Sequence, residues 1–423
     1  MYIIRDHFII LVSGSLIGLA ALLLVYMLPT EPMKNHVYWS LDMIEKEFTD
    51  EVLIEGYRAT LTGNFTDCLM LEHAVYSSES HSLLEQVLHM YRAESYYNEN
   101  DPDGWWPGQS LIDYLQGLPQ PQEVTYSRYW HGYLLILKPL LLLTSVNTIR
   151  LFNAALQLIV AGFVVIAFCR KKAYTLAKAF LVSVPFMFFV STYASLSLSI
   201  CFYIMNVVLL VMLNKEEIIS TRGLYAHFFL IIGMLTSYFD FLTYPLVTLG
   251  YPLCVYLYFH GDTFRKNIKR LCILSVEWFV GYIGMWAAKW VLADLLTGST
   301  IIKDALDTIV IRTQSAENAS RIGGFFTVIA KNLQVYGNWC YVLLGILCIL
   351  ILLTSVRRRE ISNIIGRLQK GICFFLIALY PLAWYFVLQN HSEQHWQFTC
   401  RIVSIAVFAG MSGAMQLVCK EEG

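Results

Sequence analysis

The chain has 423 residues, 57% hydrophobic and 14% charged, with a formal net charge of −1 and a mean hydropathy of +0.54. Soluble domains carry about 25% charged residues, so the composition excludes a large soluble core and points to an all-α polytopic membrane protein. The balanced charge gives no support to a nucleic-acid partner. The ten cysteines form no CxxC pair. Most lie in or beside apolar runs, where a thiol acts as a small hydrophobe, so redox or zinc chemistry has little support.

Residues 1–28 hold one apolar run, 8–27. It is longer than a signal-peptide core of about 7–15 residues and is followed by LPTEP, so it reads as an uncleaved first membrane helix. Residues 29–147 are too long for a simple connection. SLDMIEKEFTDEVLIEGY, DCLMLEHAVYS and SLLEQVLHMYRAESYY carry Leu and Met at helical spacing and predict amphipathic helices on the membrane face. NENDPDGWWPG (98–108) breaks this pattern, and its Trp105 and Trp106 suit an interfacial anchor or a sugar-stacking pair. GYLLILKPLLLLTS (132–145) contains Lys138 and Pro139. It is shorter than the roughly 17–25 residues a span needs, which predicts an interfacial helix with Lys138 snorkelling.

Further spans are expected near 148–169, 174–192, 195–213, 223–239, 241–259 and 271–293, then 338–355, 371–388 and 401–418, ten in all with the first. This divides the chain into 1–28, a first outer loop at 29–147, spans two to seven at 148–293, a second outer loop at 294–337, and the last three spans with a tail at 338–423. If 132–145 does not cross, CRKK (169–172), NKEE (214–217), FRKNIKR (264–270), SVRRRE (355–360) and CKEE (419–422) all fall on the side of the N-terminus. The positive-inside rule makes that side cytoplasmic. The unusual polar chemistry then gathers outside: the two long loops, YFDF (238–241) and QNHSEQHWQFTCR (389–401). In the second long loop Lys303, Asp304, Asp307 and Arg312 fit either a flexible gate or a solvated amphipathic helix.

RYWHGYLLILKPL (128–140), followed by IRLFNAALQLIVAGFVVIAFCRKK (149–172), together with the order of helix, long outer loop, bundle and second outer loop, resembles the GT-C superfamily of integral-membrane glycosyltransferases. FDFLTYP and NHSEQHWQFTCR add to the likeness. The chain departs from the family in lacking an acidic pair soon after the first helix. The resemblance implies a polyprenyl-phosphate-linked sugar donor, a catalytic acid in the first loop, and transfer at the outer face to an envelope glycan, lipid or protein. It implies no organic cofactor.

Such a reaction needs a carboxylate to activate the acceptor and cations to meet the departing phosphate. Asp67 and Asp42 in the first loop, and Asp240 at a hairpin end, are the expected bases; a helix cap at Asp67 and a hydrated turn at Asp240 are the plainer alternatives. His391 and His395 are four apart and share a helical face. With Arg401 they are expected to grip the phosphate, and Arg128, His131 and Lys138 are further contacts. A metal at His391 and His395 stays open as an alternative, though no third ligand is evident. A transporter or flippase for lipid-linked sugars, or a non-catalytic assembly partner, is the rival function.

Overall fold

The computed structural model describes residues 2–46, 52–94, 107–118, 122–187, 189–221, 223–315, 320–355 and 364–418. Trp105, Trp106 and the tail beyond 418 lie outside the described residues. The first helix, α1 (Tyr2–Tyr26), is followed by α2 (Thr30–Tyr38), α3 (Leu41–Lys46), α4 (Asn64–Val75), α5 (Leu83–His89) and α6 (Pro107–Leu115). Ser82 and Glu85 form a reciprocal capping box at the start of α5. A two-stranded antiparallel ribbon, β1 (Tyr91–Glu94) and β2 (Gln122–Thr125), pairs Tyr91 with Thr125.

The short helix α7 (Leu134–Leu143) packs on α1, α2 and α4. It does not expose its lysine. Lys138 is fully buried, and its Nζ donates to the carbonyl of Ala74 at 2.7 Å and lies 4.8 Å from the Tyr26 ring centroid. A cation at the carbonyl end of α4 meets that helix's unsatisfied acceptors. The snorkelling expectation for Lys138 is therefore corrected: this side chain docks α7 onto α4.

The bundle follows as α8 (Val146–Arg170), α9 (Tyr174–Ser183), α10 (Phe189–Ala194), α11 (Leu196–Thr221), α12 (Tyr225–Phe239), α13 (Val247–His260) and α14 (Phe264–Thr297). Then come α15 (Ile301–Thr313), α16 (Arg321–Gln334), α17 (Trp339–Ser355), α18 (Ile364–Ala378), α19 (Tyr380–Val387), α20 (Gln389–Gln394), α21 (Trp396–Thr399) and α22 (Val403–Val418). Among the described residues, six stretches are long and apolar enough to cross a membrane: Arg5–Tyr26, Val146–Arg170, Leu196–Ser220, Phe264–Thr297, Gly366–Val387 and Trp396–Val418. The pair α16 and α17 would make a seventh, but it bends by 91°. The expected runs 174–192, 223–239 and 241–259 form shorter helices; the first passes into a 3-10 turn at Val184–Met187, which contains Pro185.

The closest helix crossing joins α12 and α14. A Cβ on Gly233 would meet the Trp278 carbonyl oxygen at 2.0 Å, and one on Gly281 would meet the Leu230 carbonyl oxygen at 2.0 Å. Small residues let the two backbones touch, as is common where apolar helices associate. The bundle therefore has two distinct ends. At one, Glu216 pairs with His260 at 3.4 Å, Arg270 donates to the His260 carbonyl and Lys370 reaches the Tyr258 carbonyl. At the other, the segments around 63–67, 126–133, 195–197, 240–243, 297–314 and 388–401 interlock.

Candidate functional site

Two guanidinium groups from distant segments meet at the interlocked end. Arg128 is carried by the segment between β2 and α7, and its carbonyl accepts from the Trp290 indole at 2.9 Å. Arg312 stands in the last turn of α15. Both border a cleft whose walls are Tyr129, Leu242, Trp286, Trp290, Ala305, Thr308, Ile309 and Leu388. Trp286 and Trp290 lie one turn apart on α14 with stacked rings 6.1 Å apart. The apolar side of α15 next to the cleft, Ile302, Leu306, Ile309 and Val310, is exposed, which suits contact with lipid.

The two arginines are held differently. Arg128 Nη1 is 2.9 Å from Asp304 Oδ2. Arg312 Nη1 is 2.6 Å from His395 Nε2. A guanidinium can only donate, so Nε2 of His395 accepts and the ring is neutral. Burial and then the charge of Arg312 hold the His395 pKa down to about 4. His391 is also neutral, with its pKa lowered mainly by burial. Its Nε2 is 2.9 Å from the Leu242 carbonyl, and its ring lies 4.9 Å from that of His395. The expected shared face of the two histidines is thus present, with one of them touching an arginine of the cleft.

Asp240 is buried directly behind Leu242. Its carboxylate accepts from the backbone N–H of Thr243 at 3.0 Å and from the Thr243 hydroxyl. Burial raises its pKa to about 6, opposed by the hydrogen bonds from Thr243. It serves the turn whose Leu242 takes a positive φ of 68°. His131, with φ of 56°, is buried, and its ring nitrogens lie 3.0 Å from the Tyr133 hydroxyl and 2.9 Å from the Tyr126 carbonyl. Both nitrogens are occupied within the protein, so His131 supports the cleft wall and does not present a nitrogen to a phosphate. The following residue, Gly132, is needed as glycine: its N–H donates to the Tyr238 carbonyl at 2.8 Å, and a Cβ there would meet that oxygen at 2.6 Å.

Asp67 is placed elsewhere. It is 1% exposed, and it caps α11 by accepting from the backbone N–H of Leu196 (2.8 Å) and Ser197 (2.9 Å) and from the Ser197 hydroxyl (2.7 Å). Arg150 approaches it at 3.3 Å. A carboxylate at the positive end of a long helix, with four donors, has the environment of a structural cap. Asp42 is exposed on α3. Its neighbour Met43 borders a second cleft of about 650 Å³, which also includes Thr62, Asn147, Arg150 and Tyr193. Arg401 is buried: it donates to Ser191 Oγ at 2.8 Å and to the Gln397 carbonyl, and lies 6.0 Å from the Tyr244 ring centroid. It does not line the Arg128–Arg312 cleft.

Of the expected site residues, the fold thus brings Arg128, His391, His395 and Asp240 to or behind one cleft. Asp67, Asp42, Arg401 and Lys138 lie apart from it. From sequence alone Arg312 belongs to a gate or solvated helix, and Trp286 and Trp290 fall within an expected span. The signal that could have flagged the tryptophans was their i, i+4 spacing.

No family model, curated protein or solved structure matches this chain. The site must therefore be interpreted from its own chemistry. Among the described residues, no group of three or more His, Cys, Asp or Glu side chains converges as a metal site would.

Proposed function

We propose that this protein is an integral-membrane glycosyltransferase that moves a sugar from a polyprenyl-phosphate donor to an envelope glycan, lipid or protein acceptor. The observation that carries the reading is the pairing of Arg128 and Arg312 at one aromatic-walled cleft. In the reaction the acceptor oxygen attacks the anomeric carbon, the bond from that carbon to the phosphate oxygen breaks, and the electron pair leaves with the phosphate. Guanidinium groups meet phosphate oxygens with paired donors and stabilise that developing charge. The rings of Tyr129, Trp286 and Trp290 suit the sugar face, and the exposed apolar side of α15 suits the prenyl chain. The proposed topology places the interlocked end outside the cytoplasm and both termini inside, with the shorter helices α9, α12 and α13 and the bent α16–α17 pair completing ten crossings. The basic residues at the opposite end support that orientation.

The rival reading, a carrier or assembly partner for lipid-linked sugars, draws on one observation: the described residues bordering the cleft include no carboxylate. Membranes holding the protein, supplied with a panel of radiolabelled polyprenyl-phosphate sugars, separate the two. The transferase reading expects conversion by the wild type and a loss of at least about tenfold in kcat/KM for Arg128→Ala and Arg312→Ala at matched expression. A loss of that size corresponds to about 1.4 kcal/mol or more. Binding of a donor without conversion would favour the carrier.

A further inference from the structure

From the contacts at the cleft mouth we infer that Asp304 is the carboxylate that activates the acceptor, an assignment that rests on the transferase reading above. Three observations point to it. Asp304 lies on α15 immediately before Ala305 and one turn before Thr308, both of which border the cleft. Its carboxylate touches Arg128, a cleft residue, at 2.9 Å. Its side chain is 56% exposed, so a hydroxyl arriving from water or from the bilayer surface can reach it.

Three other carboxylates, Asp294, Asp240 and Asp67, are engaged in holding the fold. Asp294 accepts from the Ser299 hydroxyl and from the backbone N–H groups of Ile301 and Ile302, which begin α15. Asp240 is bound by Thr243, and Asp67 by the start of α11. In contrast, the Asp304 carboxylate is paired with Arg128, the very cation that a donor phosphate would engage. The pair therefore couples the two substrates. When the phosphate draws Arg128 toward itself, the Asp304 oxygen is released to accept a hydrogen bond from the acceptor hydroxyl. That oxygen then takes the hydroxyl proton as the acceptor oxygen bonds to the anomeric carbon, and the leaving phosphate departs with the bonding electrons against Arg128 and Arg312. Until a donor is present, the carboxylate stays with the guanidinium. The substrate class is thus an anionic lipid-linked sugar together with a hydroxyl acceptor approaching from the α15 side.

The test compares wild type, Asp304→Asn and Asp304→Glu in purified form. Undecaprenyl phosphate binding is read by fluorescence of the cleft tryptophans, and sugar transfer is read in a single turnover. The inference expects Asp304→Asn to bind the lipid phosphate as tightly as wild type or several-fold more tightly, because a competing anion is removed. Transfer should fall at least 100-fold, with partial recovery in Asp304→Glu. Transfer by Asp304→Asn within threefold of wild type would overturn the assignment and leave the transferase reading in place. Loss of lipid-phosphate binding together with transfer would show that Asp304 holds the cleft together, and would also overturn it. If the wild type binds donors and converts none, the transferase reading itself fails, and the role of Asp304 falls with it.

Discussion

Glu72 is a carboxylate on α4 with 0% exposure and no hydrogen-bond donor on either oxygen. Its nearest cation is Arg92, at 3.7 Å. Burial raises its pKa from 4.5 to about 8, against the opposing charge of Arg92, so the protonated acid is the form that fits the fold. The sign follows: the native state binds a proton that the unfolded state releases above pH 4.5. Stability from this group is therefore complete below that pH and is lost as pH rises through about 8. We expect Glu72→Gln to raise the thermal midpoint at pH 9, by an amount equivalent to a few kcal/mol at most, and to change it little at pH 5. Differential scanning fluorimetry in detergent checks this, and an equal shift at both values would contradict it. Individual residues show where sequence reading stops. The cap alternative for Asp67 was legible because it follows a polar LTGNFT turn and precedes an apolar helix. The partner it caps, the start of α11, is about 130 residues away and left no local trace. The contact between Arg312 and His395 is hidden for the same reason: the two are 83 positions apart.

At the scale of elements, six of the ten expected spans coincide with described helices long and apolar enough to cross, though not in their ends. The run expected at 271–293 belongs to α14, which extends over Phe264–Thr297. At 1.5 Å per residue this 34-residue helix is about 50 Å long. The basic FRKNIKR segment ends the apolar run without breaking the helix, since nothing between Thr263 and the left-handed Gly298 interrupts it. The extension through Thr297 carries the start of α15 to the cleft, beside Trp290 of the expected run. The crossing of α12 with α14 holds α14 in place, and its glycines leave no room for a methyl group. Gly281→Ala is expected to push the backbones apart and destabilise the bundle by about 1–3 kcal/mol. Gly345→Ala, where no atom lies within 4 Å of the added Cβ, is expected to be neutral. Thermal midpoints of the two purified variants test the difference; a neutral Gly281→Ala would refute the close crossing.

Across the whole molecule, among the described residues, Glu216, His260, Arg270 and Lys370 gather at one end of the bundle and the interlocked polar segments at the other. The helical membrane class was legible from hydropathy. The cleft was not, because it is assembled from four regions: the segment before α7, the 240–243 turn, α14 with α15, and the end of α19. Their convergence depends on packing that no single run encodes. QNHSEQHWQFTCR is also more structural than its composition suggests: Ser392 O accepts from Asn332, Thr399 donates to Asn332, and the Tyr336 hydroxyl donates to the Cys400 carbonyl. Within this segment His395 reaches Arg312 and His391 reaches the Leu242 carbonyl, both at the cleft. The central claim is that a lipid phosphate occupies the cleft between Arg128 and Arg312. The most direct measurement is photo-crosslinking with a diazirine-bearing polyprenyl phosphate, followed by peptide mapping. The account predicts labelling on α14 and α15, around Trp286, Trp290 and Ile309, that is competed by unlabelled undecaprenyl phosphate and weakened in Arg128→Ala and Arg312→Ala. Labelling at Met43, Leu151 and Tyr193 instead, unaffected by those substitutions, would contradict it and move the lipid site to the cleft beside Arg150.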